Sequence, residues 1–394
     1  MSERHLDTAA VHAGRFVAPS NQGSSPPLFQ AASYEFENLV EVEAIYAGTK
    51  AGAIYGRFGG PNAAQFEAAM AELEGAEAAA GAAAGMSAIH AALGVALQGG
   101  RPILASRELY GGTFVLLESD YRNRGFSVEY VDQQDLSAVA EALSRLKPAV
   151  LYAEALTNPL VHVADLPALA DLAHAAGALL YVDATFATPV LCRPLAHGVD
   201  LVVHSVGKYI GGHGDVGAGV VAGRRELVEA VRGRLVRTGA TIPHFEAWLA
   251  LRGLRTLGLR MERHSSNAAA VARFLAGNPH VAAVHHPSLA PAAERARVEA
   301  LYPRGTGGIV AFDLAAGPEA VERFLAGLET IAIVHSLGEV ATTISYPAVS
   351  SHRPLLAEVR RSLGVGDATL RISTGIEHPD DITADLERGF AGLA

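Results

Sequence analysis

Between residues 102 and 204, short apolar runs alternate with amphipathic segments, and no other feature of the chain restricts its fold as strongly. Residues 102–106, 127–131, 149–155, 179–183 and 201–204 read as strands, and residues 113–124, 136–146 and 166–176 as helices. Strands this apolar have no polar side to turn toward water. They imply a largely parallel sheet with helices on both faces. After about residue 245 the pattern changes. Residues 243–263, 265–276 and 382–393 read as helices, and 308–314, 342–346 and 369–376 as strands, which implies a smaller second α/β domain. The first 60 residues carry loop signals such as Ser24-Ser25-Pro26-Pro27 and Phe58-Gly59-Gly60-Pro61-Asn62, and read as an extended arm. The expected division is an arm over 1–60, a large domain over 61–245 and a C-terminal domain over 246–394.

Two details lie between the arm and the first of these strands. Phe66, Ala69, Met70 and Leu73 fall at helical spacing, with Asn62 placed to cap that helix. Residues 78–100 contain no Asp, Glu, Lys or Arg. Their Ala and Gly content, with Ser87 and His90 inside, suits a buried helix of a globular protein better than a membrane span. A helix start is expected at Gly85-Met86, with Ile89, Leu93 and Leu97 on one face.

Charge and cysteine content exclude several classes. The 41 acidic residues against 31 basic ones give a net charge of −10, with no basic footprint for nucleic acid. Cys192 is the single cysteine, which excludes an intrachain disulfide and reads as buried filler. The charged start Met1-Ser2-Glu3-Arg4-His5 lacks the apolar core of a signal peptide, so a cytoplasmic location is expected. Lys50, Lys147 and Lys208 are the only lysines among the 31 basic residues. Chemistry that needs a titratable amine therefore has few candidates, because arginine stays charged.

In open α/β sheets, ligands bind beyond the carboxyl ends of the strands. The strand at 179–183 ends in Asp183, and the strand at 201–204 runs into Ser205-Val206-Gly207-Lys208-Tyr209-Ile210-Gly211-Gly212-His213-Gly214. An Asp at one strand end and a Lys 25 residues on, after the next strand, suit pyridoxal 5′-phosphate. That cofactor needs an amine to hold its aldehyde as a Schiff base and an acid to keep its ring nitrogen protonated. Its phosphate needs backbone N–H groups at a helix start, which Ala84-Gly85-Met86 offers. His204, His213, His285 and His286 show no metal-ligand spacing, and no metal is expected.

With these residues in place, the chain resembles the pyridoxal-phosphate enzymes of cysteine and methionine metabolism. That family includes cystathionine γ-synthase, the cystathionine β- and γ-lyases, methionine γ-lyase and O-acetylhomoserine sulfhydrylase. The resemblance runs from Thr8-Ala9-Ala10-Val11-His12-Ala13-Gly14 to Leu370-Arg371-Ile372-Ser373-Thr374-Gly375-Ile376-Glu377. It is sharpest over Asp183 to Thr188 and over Val202 to Gly214. It implies an aspartate-aminotransferase-like fold of type I, with a mostly parallel seven-stranded sheet. It further implies Lys208 as the lysine that carries the cofactor, Asp183 at the ring nitrogen and Tyr110 stacked on the ring. Asn158 would meet the phenolic oxygen, and Gly85, Met86 and Ser205 would cradle the phosphate. Tyr55 and Arg57 would reach the phosphate of a neighbouring subunit. Arg371 would grip the substrate α-carboxylate with Ser336 beside it, and His335 would lie toward the distal end of the substrate.

The chain departs from the family pattern at several points. Ala184 stands where most members have Asn, and Gly207 where most have Thr before the lysine. Ala155-Leu156-Thr157-Asn158-Pro159 replaces Ser-Pro-Thr-Asn-Pro, and Gly59-Gly60-Pro61-Asn62 replaces an Asn-Pro-Thr arm motif. Gly112 stands where methionine γ-lyases carry a cysteine, and His335 where cystathionine-processing members often have Glu. The implied activity is a carbon–sulfur lyase of the cystathionine γ-lyase type acting on a small sulfur amino acid. γ-Replacement on an O-acylhomoserine, cystathionine β-lyase and methionine γ-lyase are its alternatives. A cofactor-binding relic without activity and an aminotransferase are disfavoured by the retained Asp183–Lys208 pair and by the family motifs, respectively. The implied assembly is a homodimer with shared sites, built up to a tetramer, with no nucleic-acid or membrane partner.

Overall fold

The structure, a computed structural model, describes residues 5–14 and 24–393; the charged start Met1 to Arg4 lies outside them. Seven strands form the main sheet: β1 Ala78–Ala82, β2 Ile103–Ser106, β3 Val128–Val131, β4 Val150–Glu154, β5 Leu179–Asp183, β6 Leu201–Ser205 and β7 Gly219–Gly223. Their order is β1-β7-β6-β5-β4-β2-β3. Strands β2 to β6 pair in parallel, while β7 runs antiparallel to both β6 and β1. Apolar clusters cover both faces. Leu104, Leu151, Leu180 and Val202 point to one side, and Ile103, Val150, Tyr181 and Val203 to the other. This double burial is why the strands read as continuous apolar runs.

A second sheet follows, formed by β8 Val281–His285, β9 Ile309–Leu314, β10 Ala332–Ile333, β11 Thr343–Ser345 and β12 Thr369–Ser373, in the order β10-β11-β12-β9-β8. Helices Leu257–Ala276 and Pro379–Ala391 pack with it around Phe312, Phe324, Leu370, Ile372 and Phe390. No helix among the described residues is long and apolar enough to cross a membrane.

Four expectations are corrected. Residues 78–100 are not one helix, because Ala78–Ala82 is a strand and the helix begins at Gly85. Alanine favours helix, but here all five residues are buried and complete an antiparallel ladder with β7. An uncharged alanine run carries no periodicity to reveal that choice. The long helical stretch breaks at Arg255-Thr256, giving His244–Leu254 and Leu257–Ala276, rather than at residue 264. The buried Arg260 guanidinium donates to the Gly253 carbonyl at 2.8 Å and to the Tyr209 carbonyl at 2.5 Å, so it fixes the end of the first helix. The arm is not wholly extended. Helix Leu6–His12 buries Ala9 and Ala10 against helix Pro61–Glu74, and Leu39–Tyr46 forms a second helix.

The fourth correction concerns Asn62, which does not cap its helix. Gly60 precedes that helix and Pro61 opens it, a position where a missing N–H costs nothing. Asn62 is instead fully buried, and both ends of its amide hold the arm. Its Oδ1 accepts the Phe29 N–H at 2.8 Å, and its Nδ2 donates to the Pro27 carbonyl at 2.8 Å. Asn62→Ala removes both bonds and is expected to cost about 1–3 kcal/mol of stability. Urea denaturation would measure the cost, and an unchanged midpoint would mean that the tether contributes nothing.

Candidate active site

Parallel pairing sets the ends of three neighbouring strands side by side. Glu154 pairs with Asp183 across β4 and β5, and Asp183 with Val203 across β5 and β6, two residues before Ser205. Beyond these ends lies a cavity of about 250 Å³, bounded on the far side by His335, Leu337 and Arg371 on β12. Gly85, Met86, Tyr110, Asn158, Asp183, Ser205, Lys208, His335 and Arg371 all line it, from segments up to 286 positions apart. Ser336 touches the site through Lys208. Tyr55 and Arg57 do not line the cavity of their own chain. Tyr55 is exposed, and Arg57 donates to the Val236 carbonyl at 3.0 Å while covering the Phe58 ring.

Lys208 Nζ donates to Ser336 Oγ at 2.9 Å. Burial and the nearby Arg371 hold its amine below the ordinary lysine range, with Glu339 opposing them. Arg371 is buried and has no carboxylate within ion-pair reach among the described residues. Its Nη1 donates to Asn158 Oδ1 at 3.0 Å and its Nη2 to the Ser336 carbonyl at 3.2 Å, while its buried Nε has no partner. Burial pulls the guanidinium down to about 10. Asp183 accepts the Thr185 N–H at 2.9 Å, and burial raises its carboxyl above the usual range.

These features fit pyridoxal phosphate on the structure's own terms. Asp183 is a half-buried acid facing the cavity, and no cation among the described residues pairs with its oxygens, which suits a protonated ring nitrogen. The helix Gly85–Ala96 opens at the cavity with no side chain capping its first N–H groups, which leaves them for an anion. A Cβ at Gly85 would lie 2.8 Å from Ser205 Cβ, so only glycine leaves that cradle open. Ser205 is seated by its N–H, which donates to Thr185 Oγ1 at 2.8 Å.

Sequence reasoning missed Glu154. It is buried at the end of β4, and burial together with Asp183 pushes its carboxyl well above the usual range. The signal was present, since the strand-end rule that picked out Asp183 applies equally to the neighbouring strand. The histidines weighed for a metal have other partners: His204 pairs with Glu74 at 2.5 Å, His213 donates to the Gly211 carbonyl at 2.8 Å, His285 pairs with Asp313 at 3.0 Å, and His286 with Ser288 at 2.7 Å. Among the described residues, no three His, Cys, Asp or Glu side chains gather as a metal site requires. Cys192 is buried, which pushes its thiol up to about 12.

Two departures from the family pattern differ in what surrounds them, fixed backbone at one and a half-exposed side chain at the other. A Cβ at Gly207 would lie 2.4 Å from the Val216 carbonyl oxygen, and one at Gly112 would lie 2.5 Å from Tyr110 Cε1. Backbone occupies the space beside residue 207, and the Tyr110 ring occupies the space beside residue 112.

The strand-end acid, the lysine one strand on and the uncapped helix define a cofactor-dependent enzyme site, and the comparisons specify which kind. The family profile of Cys/Met metabolism PLP-dependent enzymes matches residues 7–391. The chain is 39% identical over 388 residues to an O-succinylhomoserine sulfhydrylase of Pseudomonas aeruginosa, covering 98% of this chain and 96% of the relative. It is 38% identical to an L-methionine γ-lyase of Pseudomonas putida, covering 98% and 97%. Its fold matches a cystathionine γ-synthase of Xanthomonas oryzae, solved with aminoacrylate and cysteine, at a TM-score of 0.93 and 34% identity over 99% and 98% of the two chains. The chain belongs to the Cys/Met metabolism family of PLP-dependent enzymes. Its relatives are carbon–sulfur lyases and γ-replacement enzymes of trans-sulfuration, and pyridoxal phosphate is the family's cofactor.

Two outcomes follow from this geometry. Gly207→Thr, which restores the family's residue, is expected to destabilise the protein by about 1–3 kcal/mol through its clash with Val216. A thermal scan reads this, and a variant at least as stable as the parent would show that the segment yields. Arg371→Met removes a positive charge that holds the Lys208 amine down, so that amine must titrate at higher pH. In cofactor-free protein, the pH dependence of borohydride trapping of pyridoxal phosphate on Lys208 is expected to move toward alkaline pH. A shift in the acid direction would contradict the electrostatic reading.

Proposed function

We propose that this chain is a carbon–sulfur lyase of the cystathionine γ-lyase type, converting L-cystathionine and water to cysteine, 2-oxobutanoate and ammonia. The observation that carries the reading is the sequence of bonds from Lys208 Nζ to Ser336 Oγ and from the Ser336 carbonyl to Arg371. It puts a base of lowered basicity beside a buried guanidinium that has no carboxylate in ion-pair reach among the described residues. Arg371 binds the α-carboxylate through its planar fork. Lys208 then takes the Cα proton, would pass it to the bound cofactor, and with its amine free again takes one from Cβ. Bound pyridoxal phosphate supplies the electron sink for these steps, with Asp183 opposite its ring nitrogen. Tyr110, exposed at the cavity wall, gives its hydroxyl proton to the departing sulfur. Gly112, where methionine γ-lyases carry a cysteine, supports a lyase other than one dedicated to methionine.

A second reading has its own support. The exposed His335 lines the cavity, and the acids lining the same cavity, Glu154 and Asp183, stand at the strand ends. An anionic acyl tail suits such a position better than the amine of cystathionine does. γ-Replacement on O-succinylhomoserine is thus the alternative, and the P. aeruginosa relative bears the matching name. In either reading Tyr55 and Arg57 serve a neighbouring subunit, so a homodimer is the smallest active unit in the cytoplasm and a tetramer the expected assembly.

Mass spectrometry of the keto acid formed from L-cystathionine tests the first reading. 2-Oxobutanoate with stoichiometric cysteine is expected, with turnover falling at least about a hundredfold in Lys208→Ala. No 2-oxobutanoate from cystathionine, but a thioether product from O-succinylhomoserine and a thiol, would replace it with the second. Full turnover by Lys208→Ala would remove both.

A further inference from the structure

Glu154 takes no part in the steps above, yet it is buried at the centre of the site. A carboxyl in such a place is stable only through the bonds it makes. Both of its oxygens are used, and each holds a different loop. Oε1 accepts the Tyr110 N–H at 2.6 Å, in the turn that follows β2. Oε2 accepts the Asn158 N–H at 3.2 Å, in the turn that follows β4. The strand end is fixed from a third side by Gln133, whose amide donates to the Glu154 carbonyl at 2.9 Å and accepts its N–H at 3.3 Å.

From Asn158 the bonds continue through Arg371 and Ser336 to Lys208. One buried side chain therefore joins the Tyr110 wall of the cavity to the network that holds the arginine and the lysine. A second strap links the same loops farther out, where Glu108 meets the half-exposed His162 at 2.8 Å. That strap can keep the loops closed when the inner bonds are lost, but it touches neither Tyr110 nor Asn158.

We propose that Glu154 is a positioning residue, whose carboxyl fixes the Tyr110 ring relative to the Asn158–Arg371 pair so that cofactor face and substrate carboxylate share one geometry. This rests on the roles given above to Tyr110, Asn158 and Arg371. Glutamine at 154 keeps the size of the side chain but has one acceptor atom and one donor, so it cannot accept both N–H groups. One loop must then shift. Alanine would also leave a void, so E154Q is the informative variant.

The experiment compares holoenzymes of E154Q, H162A and R371A with the parent on the substrate the parent turns over. It reads cofactor stoichiometry, visible circular dichroism of the bound cofactor, and KM separately from kcat. E154Q is expected to keep full cofactor, to change the dichroic amplitude about twofold and to raise KM about tenfold. H162A is expected to keep both parental values. Parental dichroism and KM in E154Q would overturn the proposal, and so would the same changes in H162A, since they would mean general loosening of the loops. If R371A leaves KM unaltered, the role given to Arg371 fails; the proposal is then judged on the dichroism of E154Q alone.

Discussion

The register of β4, β5 and β6 is the constraint on which the site depends. Hydrogen bonds between parallel strands fix which residues end side by side, and here those residues are Glu154, Asp183 and, at the end of the next strand, Ser205. A slip of one residue on any of the three would turn its terminal side chain to the opposite face. The apolar clusters on both faces hold the register, because a slipped strand would lose its packing on each side. Core packing and site geometry are therefore the same requirement.

Upon this frame the chain gathers charges that it does not neutralise internally. Among the described residues, Arg371 is buried with no carboxylate in ion-pair reach, Lys208 faces a hydroxyl, and Asp183 accepts a backbone N–H with no cation paired to it. Buried charges are costly unless paired, so such an arrangement is stable only at some expense elsewhere. Ligands with a carboxylate, an aldehyde and a basic ring nitrogen meet all three needs together. Arg260, the other deeply buried guanidinium named above, sits among backbone carbonyls instead, outside the cavity.

Departures from the family pattern are local packing facts rather than signs of decay. Gly207 faces a carbonyl oxygen and Gly112 faces the Tyr110 ring, so a larger residue at either position needs compensating movement. Ala184 is fully buried beneath the acid it follows. The charged and hydrogen-bonding groups around these positions remain in place, which agrees with a working site on a slightly altered backbone.

Much of this was legible in the sequence because it depended on short-range order. Apolar runs alternating with helices forced a doubly covered parallel sheet, and Asp183 and Lys208, after neighbouring strands, pointed to one cofactor. The alanine strand Ala78–Ala82 was not legible, since uniform small side chains have no period and only the ladder with β7 decides their conformation. Asn62 read as a cap because its neighbourhood looks like a helix start; its true partners, Pro27 and Phe29, lie more than thirty residues away. The sequence by itself determined the class of chemistry, because that follows from residue types at strand ends. Only the tertiary structure decided that Glu154 stands beside Asp183 and that Arg371 reaches the cavity with no carboxylate beside it among the described residues, because those facts depend on contacts across strands and between the two sheets.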